Sequence, residues 1–577
     1  MDCTASQTVE TDVLVIGGGC AGCWAALSAR QLGKRVTLVD KGVVARSGDM
    51  LYCHNTIAPM PEEELEGWLE DWVRHTEYLS DQASLEVLLR ENGHRLAELE
   101  AWGAPFERDA QGNIVRGLGR GHVVSRVVYY DGRLLMEVMK ERLKELGVDI
   151  RERIMATDLI TSDGHYPTRE RVVGALGLHT RNGRYFVFKA KAVVVATGLF
   201  GAKLHFAFAD NLTGDAQAMA FRVGAELTDL EFSFSPDFTA YKDGVILGIS
   251  LIQFQTLGAY LVNRSGERFM KKYAPERLER RSSIGTLVQA ISKEIMEGRG
   301  PVYFDMRHLG AEGLALTRRI IPVTVIALET ANIDLANEMV EVRPLVPMLG
   351  GHGSGGIRIN IDGQTNVPGL LAAGICSKFP GCSEVLSGGF VAMCNVVGYR
   401  AGQRAADFAD RVEEFPLNEG HLNKLRDELL APLSRADGLA PEEVYFRLNK
   451  MLVRPEYSII KTEEKIDEII EEIRRTARED LHRIRAKDVH QLVKANEARN
   501  FVQLLEPVYI CARERKESRL SHYRKDYPFR DDADWLKWVV VKKEDGLISV
   551  RHEPIPLKAN RIKLEERRRI PAPIQFS

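Results

Sequence analysis

The chain has no apolar run approaching the ~20 residues a helix needs to cross a bilayer, so no transmembrane segment is expected. Its start lacks a basic stretch followed by an apolar one. Asp2 and Glu10 stand there instead, which argues against a secretory signal and for a cytoplasmic protein. An excess of charge of either sign is missing too. With 78 Lys and Arg against 81 Asp and Glu, the net charge is −3, which removes the electrostatic basis for binding nucleic acid or anionic lipid. Cysteine is scarce, with 8 in 577 residues. They are scattered, which suits a reducing compartment better than a disulfide framework. Cys20 and Cys23 form the only C-x-x-C, so neither a zinc site nor an iron–sulfur cluster is expected within the chain. Internal repeats and low-complexity tracts are absent as well.

What remains is an ordinary globular composition, 45% hydrophobic and 28% charged, long enough for several domains of roughly 100–200 residues. Residues 11–16 (TDVLVI) form a short β-branched run that reads as a buried strand, and residues 23–32 follow with helical periodicity. Residues 35–39 (RVTLV) read as a second strand ending at Asp40. Residues 62–146 are mostly helical in pattern, broken by a glycine-rich stretch at 103–121. Residues 148–160, 172–180 and 185–189 read as a meander, and 192–196 (AVVVA) as a further buried strand. A strand-and-glycine pattern returns at 369–374 (GLLAAG), followed by a helix over 387–409. Residues 416–526 are charged and helical, with 463–494 as an example.

Between strand and helix stand Gly17, Gly19 and Gly22, a G-x-G-x-x-G. Such a turn lets the backbone approach a pyrophosphate while the helix presents its free N–H groups to that anion. Asp40, 21 positions after Gly19, is placed to bond ribose hydroxyls, which favours FAD or NAD over NADP. Cys20 and Cys23 lie inside this turn. They read either as a redox dithiol or as small side chains suited to a crowded helix start.

Three further features favour a flavin: Lys41, Arg46, Ser47 and Gly48 after the acid; Ala196-Thr197-Gly198; and the glycines 369–374. On these the chain resembles the succinate dehydrogenase and fumarate reductase flavoprotein superfamily. Thr213-Gly214-Asp215 is similar to that family's T-G-D, residues 258–270 (GAYLVNRSGERFM) to its G-x-L-V-N-x-x-G-E-R-F-M stretch, and 367–374 (VPGLLAAG) to its V-P-G-L-x-A-A-G strand. The branch it most resembles is the α subunit of dissimilatory adenylylsulfate reductase, through residues 298–306 (GRGPVYFDM), 349–357 (LGGHGSGGI) and 521–538 (SHYRKDYPFRDDADWLKW).

The resemblance implies an α/β fold in which a Rossmann-like, glutathione-reductase-type FAD-binding domain (1–230 and 350–412) is interrupted by an α+β capping domain (231–349). A helical domain (413–530) and a C-terminal extension (531–577) follow. It implies cofactor contacts from Gly17, Gly19, Cys20, Ala21, Gly22, Asp40, Lys41, Arg46, Ser47, Gly48, Thr197, Gly198, Asp215, Gly374, Ser387 and Gly388. Gly48 stands where covalently flavinylated members carry histidine, so the FAD is expected to be noncovalent. Val385 stands where fumarate and succinate enzymes carry the arginine that grips a substrate carboxylate. No arginine precedes Lys242-Asp243-Gly244, where adenylylsulfate reductases have one.

Three residues are expected at the chemistry. His352, in the glycine-rich turn 350–356, would donate a hydrogen bond or act as general acid. Arg281, or Arg280 if the alignment slips by one, would hold an anionic substrate or relay a proton. Asn55 would donate to substrate or flavin. Gly388 and Gly389 would aim helix N–H groups at the flavin O2. The expected activity is that of a flavoprotein subunit moving electrons between a small anionic substrate and a small ferredoxin-like iron–sulfur subunit, in a hetero-oligomer. The basic stretch from Lys558 to Arg569 is a candidate docking arm. Adenylylsulfate reduction and enoate reduction of the fumarate reductase type are alternatives. An electron-relay flavoprotein without its own substrate, and a flavin-dependent nucleic-acid-modifying protein, belong to other classes.

Overall fold

The computed structural model describes residues 6–201, 203, 211–234, 237–345, 355–382 and 384–576. At its centre is the strand Ser6–Ile16, whose Val13, Leu14 and Val15 are completely buried. It runs parallel to Val36–Asp40 on one side and to Tyr185–Val195 on the other, with Ile16 opposite Val39 and Val195. The sheet order is Asp149–Glu152, Val36–Asp40, Ser6–Ile16, Tyr185–Val195, Val172–His179, Ile154–Thr161. Leu370–Ala372 pairs in parallel with the end of Tyr185–Val195. Near-continuous apolar runs fit this position, because strands covered on both faces have no polar side to show.

Two segmentations differ from the sequence reading. The runs at 185–189 and 192–196 are one strand, Tyr185–Val195. The run at 148–160 is two strands, broken at Arg153, whose φ of 61° turns the chain. Asp149–Glu152 thereby joins Val36–Asp40 in parallel, while Ile154–Thr161 pairs antiparallel with Val172–His179.

The helix Cys20–Gln31 follows the central strand and buries Cys23, Trp24, Ala25, Ala26 and Leu27 completely. The helix Gly389–Arg411 crosses it closely: a Cβ at Gly402 would lie 2.1 Å from the Ala25 carbonyl oxygen. Residues 237–345 build a separate antiparallel sheet in the order Val245–Ser250, Asp237–Lys242, Val340–Leu345, Val302–Asp305, Tyr260–Asn263. It packs with the helix Ile284–Met296 around its own core, which includes Phe238, Leu261, Leu287, Ile291 and Phe304.

The charged stretch expected to be helical is not one continuous rod. Glu463–Glu479 buries Ile466, Ile469, Ile470 and Ile473, an i, i+3, i+4, i+7 stripe. After a break the helix Val489–Glu514 runs back into the core. The C-terminal stretch is more structured than a plain extension. Lys537–Glu544 and Leu547–Pro554 form a hairpin closed by Asp545-Gly546, both at positive φ, 46° and 82°, as a two-residue hairpin turn requires. This hairpin joins Leu227–Thr228, Gly356–Arg358 and Ser377–Lys378 in one five-stranded sheet. Arg569, at the end of the basic stretch, pairs back onto Phe529–Asp531 through the strand Arg569–Pro571. Among the described residues no helix is long and apolar enough to cross a membrane.

Candidate functional site

The end of the central strand opens into a cavity of about 400 Å³. Its floor is the glycine turn. Gly17 has a φ of 109°, and a Cβ there would sit 2.3 Å from the Ala196 carbonyl oxygen. Gly22 does not face the cavity; a Cβ on it would fall 1.8 Å from the Gly17 carbonyl oxygen, so only glycine lets helix and turn close on each other. Gly19 is the helix N-cap and has no side-chain cap, and a Cβ on it would meet nothing within 4 Å. The first N–H groups of the helix thus face open space that suits a pyrophosphate.

Asp40 completes this end. One oxygen of its buried carboxylate accepts from Gly18 N at 2.8 Å and the other from Gly42 N at 2.7 Å. Ile154, Met155 and Ala156 line the cavity beside it. Lys41 lies in the same wall, and its ammonium donates to Thr213 Oγ1 at 2.8 Å, Asp215 Oδ2 at 2.9 Å and Glu497 Oε1 at 2.9 Å. Asn500 adds a bond to Asp215 Oδ1 at 2.9 Å. Glu497 and Asn500 belong to Val489–Glu514, so the C-terminal helices reach the cavity wall through buried polar groups. Burial alone would raise the Asp215 carboxyl, but the charge and hydrogen bonds of Lys41 outweigh it and hold the group below the usual carboxylate range.

Of the other expected cofactor residues, Cys20, Ala21, Ser47, Gly48, Thr197, Gly198, Gly374, Ser387 and Gly388 line the cavity. Arg46 does not: it points to the surface and pairs with Glu137 at 3.0 Å. Cys20 and Cys23 are buried free thiols. Their Sγ atoms contact Asn395 Oδ1 at 3.4 Å and the Gly18 carbonyl at 3.5 Å. Burial raises both thiol pKa values, that of Cys23 to about 12, which removes the thiolate a redox dithiol needs. Asp49 also faces the cavity, and burial pushes its carboxyl up to about 7.

At the far end Asn55 Nδ2 donates to Ser387 Oγ at 3.1 Å, beside the start of the 23-residue helix Gly389–Arg411. Gly388, its N-cap, has no side-chain cap, so this second helix also opens its N-terminus toward the cavity. His352 lies outside the described residues. Neither Arg280 nor Arg281 lines the cavity. Both are exposed, and Arg280 donates to the Leu118 carbonyl at 3.1 Å. The arginine that does line it is Arg120, only 4% exposed.

Arg120 sits in the glycine-rich stretch 103–121, where nothing in the local pattern marked it. Its guanidinium donates to His75 Nε2 at 3.0 Å and to the Val385 carbonyl at 3.0 Å. With the Gln255 amide turned so that its oxygen faces Arg120, Nε donates to that oxygen at 3.2 Å. Burial holds the His75 pKa well below its usual value, so its imidazole is neutral and accepts. Glu384, buried nearby with its carboxyl raised by burial, lies in the field of Arg120. Asp71 braces the loop, its Oδ2 accepting from the backbone N–H groups of Val123, Val124 and Ser125. The segment 237–345 closes this end with Ile249, Ile252, Gln253, Thr256 and Val323. Among the described residues no three His, Cys, Asp or Glu side chains are placed to hold a metal.

A glycine turn with an uncapped helix, an acid for the ribose and a long cavity ending at a second helix N-terminus define an FAD-binding flavoprotein. The family described as FAD binding domain matches residues 12–389, and the family described as fumarate reductase flavoprotein C-term matches residues 448–569. The chain belongs to this family: it is an FAD-dependent oxidoreductase, a flavoprotein subunit of the fumarate reductase and succinate dehydrogenase type. It is 28% identical over 593 residues to the fumarate reductase flavoprotein subunit of Mycobacterium tuberculosis, covering 96% of this chain and 98% of that one. It is 29% identical to an uncharacterized FAD-dependent oxidoreductase of Methanocaldococcus jannaschii, covering 92% and 96%. Among solved structures it is similar to the Sdh1 complex of Mycobacterium smegmatis, with a TM-score of 0.79 and 26% identity over 97% and 96% of the chains. Adenylylsulfate reductase of Archaeoglobus fulgidus shares the fold, with a TM-score of 0.78 at 22% identity over 95% and 96%.

The residues present fit the cofactor: the space over Gly19, the two bonds that fix Asp40 and the uncapped helix starts are what an extended dinucleotide needs. Gly48, in the lining, offers no side chain for a covalent link.

Proposed function

We propose that this chain is the flavoprotein subunit of a cytoplasmic enzyme that exchanges electrons between a small anionic organic substrate and an iron–sulfur subunit. The observation that carries the reading is a buried guanidinium, Arg120, in the wall of the cavity where the 237–345 segment closes over it. When bound, FAD supplies the two-electron chemistry at N5. This chain's residues do the rest. Gly17, Gly19 and the helix start at Cys20 hold the pyrophosphate, and Asp40 holds the ribose. Lys41, engaged by Asp215 and Glu497, fixes the wall around it and is a positioning residue, not a phosphate ligand. Ser387, Gly388 and the following helix N-terminus would hold the ring end of the cofactor and would favour negative charge at its O2. Asn55, tied to Ser387, orients that edge. The closed segment excludes water from the substrate end.

His352 is assigned as the proton donor and Arg281 yields the anion contact to Arg120. The relatives named above include a fumarate reductase flavoprotein subunit, which favours an organic substrate over adenylylsulfate. The iron–sulfur partner follows from the family resemblance, in which the flavoprotein is one subunit of a larger complex.

The test is to purify the chain with any iron–sulfur protein it retains, photoreduce the flavin, and add fumarate, an enoyl thioester or adenylylsulfate in turn. Reoxidation by an organic acceptor but not by adenylylsulfate is expected. Reoxidation by adenylylsulfate alone would reverse the ranking, and full turnover in His352→Ala would remove that residue from the mechanism.

A further inference from the structure

We propose that His122 takes up a proton when the flavin is reduced, with Ser125 and Asp71 as the positioning residues that hold it; the proposal rests on the ring end of FAD lying at Ser387. His122 is 1% exposed and follows Arg120 by two positions. Its Nε2 lies 2.9 Å from the Ser387 carbonyl oxygen and its Nδ1 2.7 Å from Ser125 Oγ. Ser125 Oγ in turn lies 2.7 Å from Asp71 Oδ2. Ser387 lines the cavity and Asp71 belongs to the helix Leu65–His75, so the row runs from the cavity wall back to that helix.

This row is one proton short. A carbonyl only accepts, so Nε2 carries a hydrogen. Asp71 Oδ2 takes the backbone N–H groups of Val123, Val124 and Ser125 at 3.0, 2.8 and 2.7 Å, so it too is an acceptor. Between them a single hydroxyl proton serves two contacts. With His122 neutral, the Ser125 O–H turns either to Nδ1 or to Asp71 and leaves the other contact without a hydrogen. A proton on Nδ1 completes the row: Nδ1–H donates to Ser125 Oγ, and the Ser125 O–H donates to Asp71. The same heavy atoms at the same distances serve both states.

The charges around the ring set when the proton arrives. Burial opposes a charge on His122 and lowers its pKa to about 4, with the Arg120 guanidinium acting in the same direction and Asp71 against it. His75, on the helix of Asp71, is held neutral by burial. Arg126 donates to the Val123 and Ser125 carbonyls from the solvent side, at 3.2 and 3.0 Å, and Glu384 is the buried acid of the segment that carries Ser387. Beside an oxidised ring the imidazole is therefore neutral. Reduction brings two electrons, from substrate or partner, and one proton to N5, which leaves negative charge at the O2 edge. That charge, at the Ser387 end, favours the imidazolium. Two electrons and two protons are then taken up, the second proton passing from solvent to His122 Nδ1.

The experiment is the pH dependence of the flavin midpoint potential in the FAD-loaded chain, by dithionite titration against reference dyes. One proton per electron pair is a tenfold change in the equilibrium per pH unit, about 30 mV; two protons are a hundredfold change, about 59 mV. The wild type is expected to follow the steeper slope from about pH 5 to about pH 7, with the absorption of an anionic reduced ring throughout. His122→Gln keeps a donor for the Ser387 carbonyl and cannot take the proton, so it should follow the shallower slope over the whole range. Ser125→Ala, which removes the link to Asp71, should do the same, and serves if the glutamine variant does not hold FAD.

A one-proton slope in the wild type, or a two-proton slope that both variants retain, would overturn the role of His122 and leave the FAD reading in place. A neutral reduced ring in the wild type would put the second proton on N1 and overturn it as well. Loss of the steep slope in His122→Gln but not in Ser125→Ala would overturn the part given to Ser125 and Asp71. A wild-type chain that retains no flavin would overturn both this proposal and the reading beneath it.

Discussion

Replacing Lys41 by Met removes one ammonium and keeps most of the stem that packs beside the cavity. It leaves Asp215 and Glu497, whose side chains are 9% and 4% exposed, without the cation between them. Breaking a buried pair by deleting one partner costs about 3–5 kcal/mol. Here the lower end applies, because Asn500 still donates to Asp215 at 2.9 Å and Lys203 still reaches Glu497 at 2.5 Å. The expected loss is therefore about 3 kcal/mol at neutral pH, two decades in the unfolding equilibrium.

The pH dependence gives the sign. In the wild type Asp215 is depressed, so its contribution is present above its unfolded pKa and disappears as pH falls through the folded value. In the variant, burial without Lys41 raises the Asp215 carboxyl, and protonation relieves it. The gap between wild type and variant should be widest near about pH 7.5 and should narrow by about pH 4.5. Urea unfolding of the FAD-loaded protein, followed by circular dichroism at both pH values, measures it. Adding Glu497→Gln to Lys41→Met should recover part of the loss, because it removes one of the stranded charges. A loss below about 1 kcal/mol, or one identical at the two pH values, would mean that the network does not hold the helix Val489–Glu514 to the cavity wall.

Gly22→Val places atoms where even a Cβ would be 1.8 Å from the Gly17 carbonyl, so purified variant should contain little FAD and should not recover it on dialysis against the cofactor. Arg46→Ala touches only a surface pair with Glu137; FAD affinity should stay within about twofold and stability within about 0.5 kcal/mol, by flavin fluorescence titration and thermal melting. Asp49, raised to about 7, contributes stability that is complete below its unfolded pKa near 4 and is lost as pH rises through about 7. Asp49→Asn should abolish that slope in urea midpoints between those limits, a difference of at most about 4 kcal/mol and less where cavity water screens the group.

The dinucleotide end was legible because its requirements are local. A β-branched strand, three glycines at fixed offsets and an acid about twenty positions on leave few alternatives, and Asp40 holds its place through two backbone N–H groups of the same turn. Arg46 misled for the same reason: adjacency to Ser47 put it in the motif, while the turn at Ala45, with φ of 64°, sends its side chain outward to Glu137. The tail hairpin was available to a closer reading, since Glu544-Asp545-Gly546-Leu547 sits between alternating residues, but its partners at 227–228, 356–358 and 377–378 are set by tertiary pairing alone.

The substrate end illustrates the opposite case. Arg277, Arg280 and Arg281 advertise themselves as a cluster, yet a run of cations on a short helix solvates itself most cheaply by facing water, and Arg280 and Arg281 do. Arg120 has no such company. It becomes a cavity residue only because Asp71 gathers three backbone N–H groups of the following loop, and because His75 and the Val385 carbonyl accept from it. Those partners lie up to 265 positions away in the chain, so no spacing rule could have found them. A buried charge is tolerated only where several distant elements converge to satisfy it. For that reason the arginine that lines the cavity is one the sequence pattern conceals, while Arg280 and Arg281, which it displays, face water.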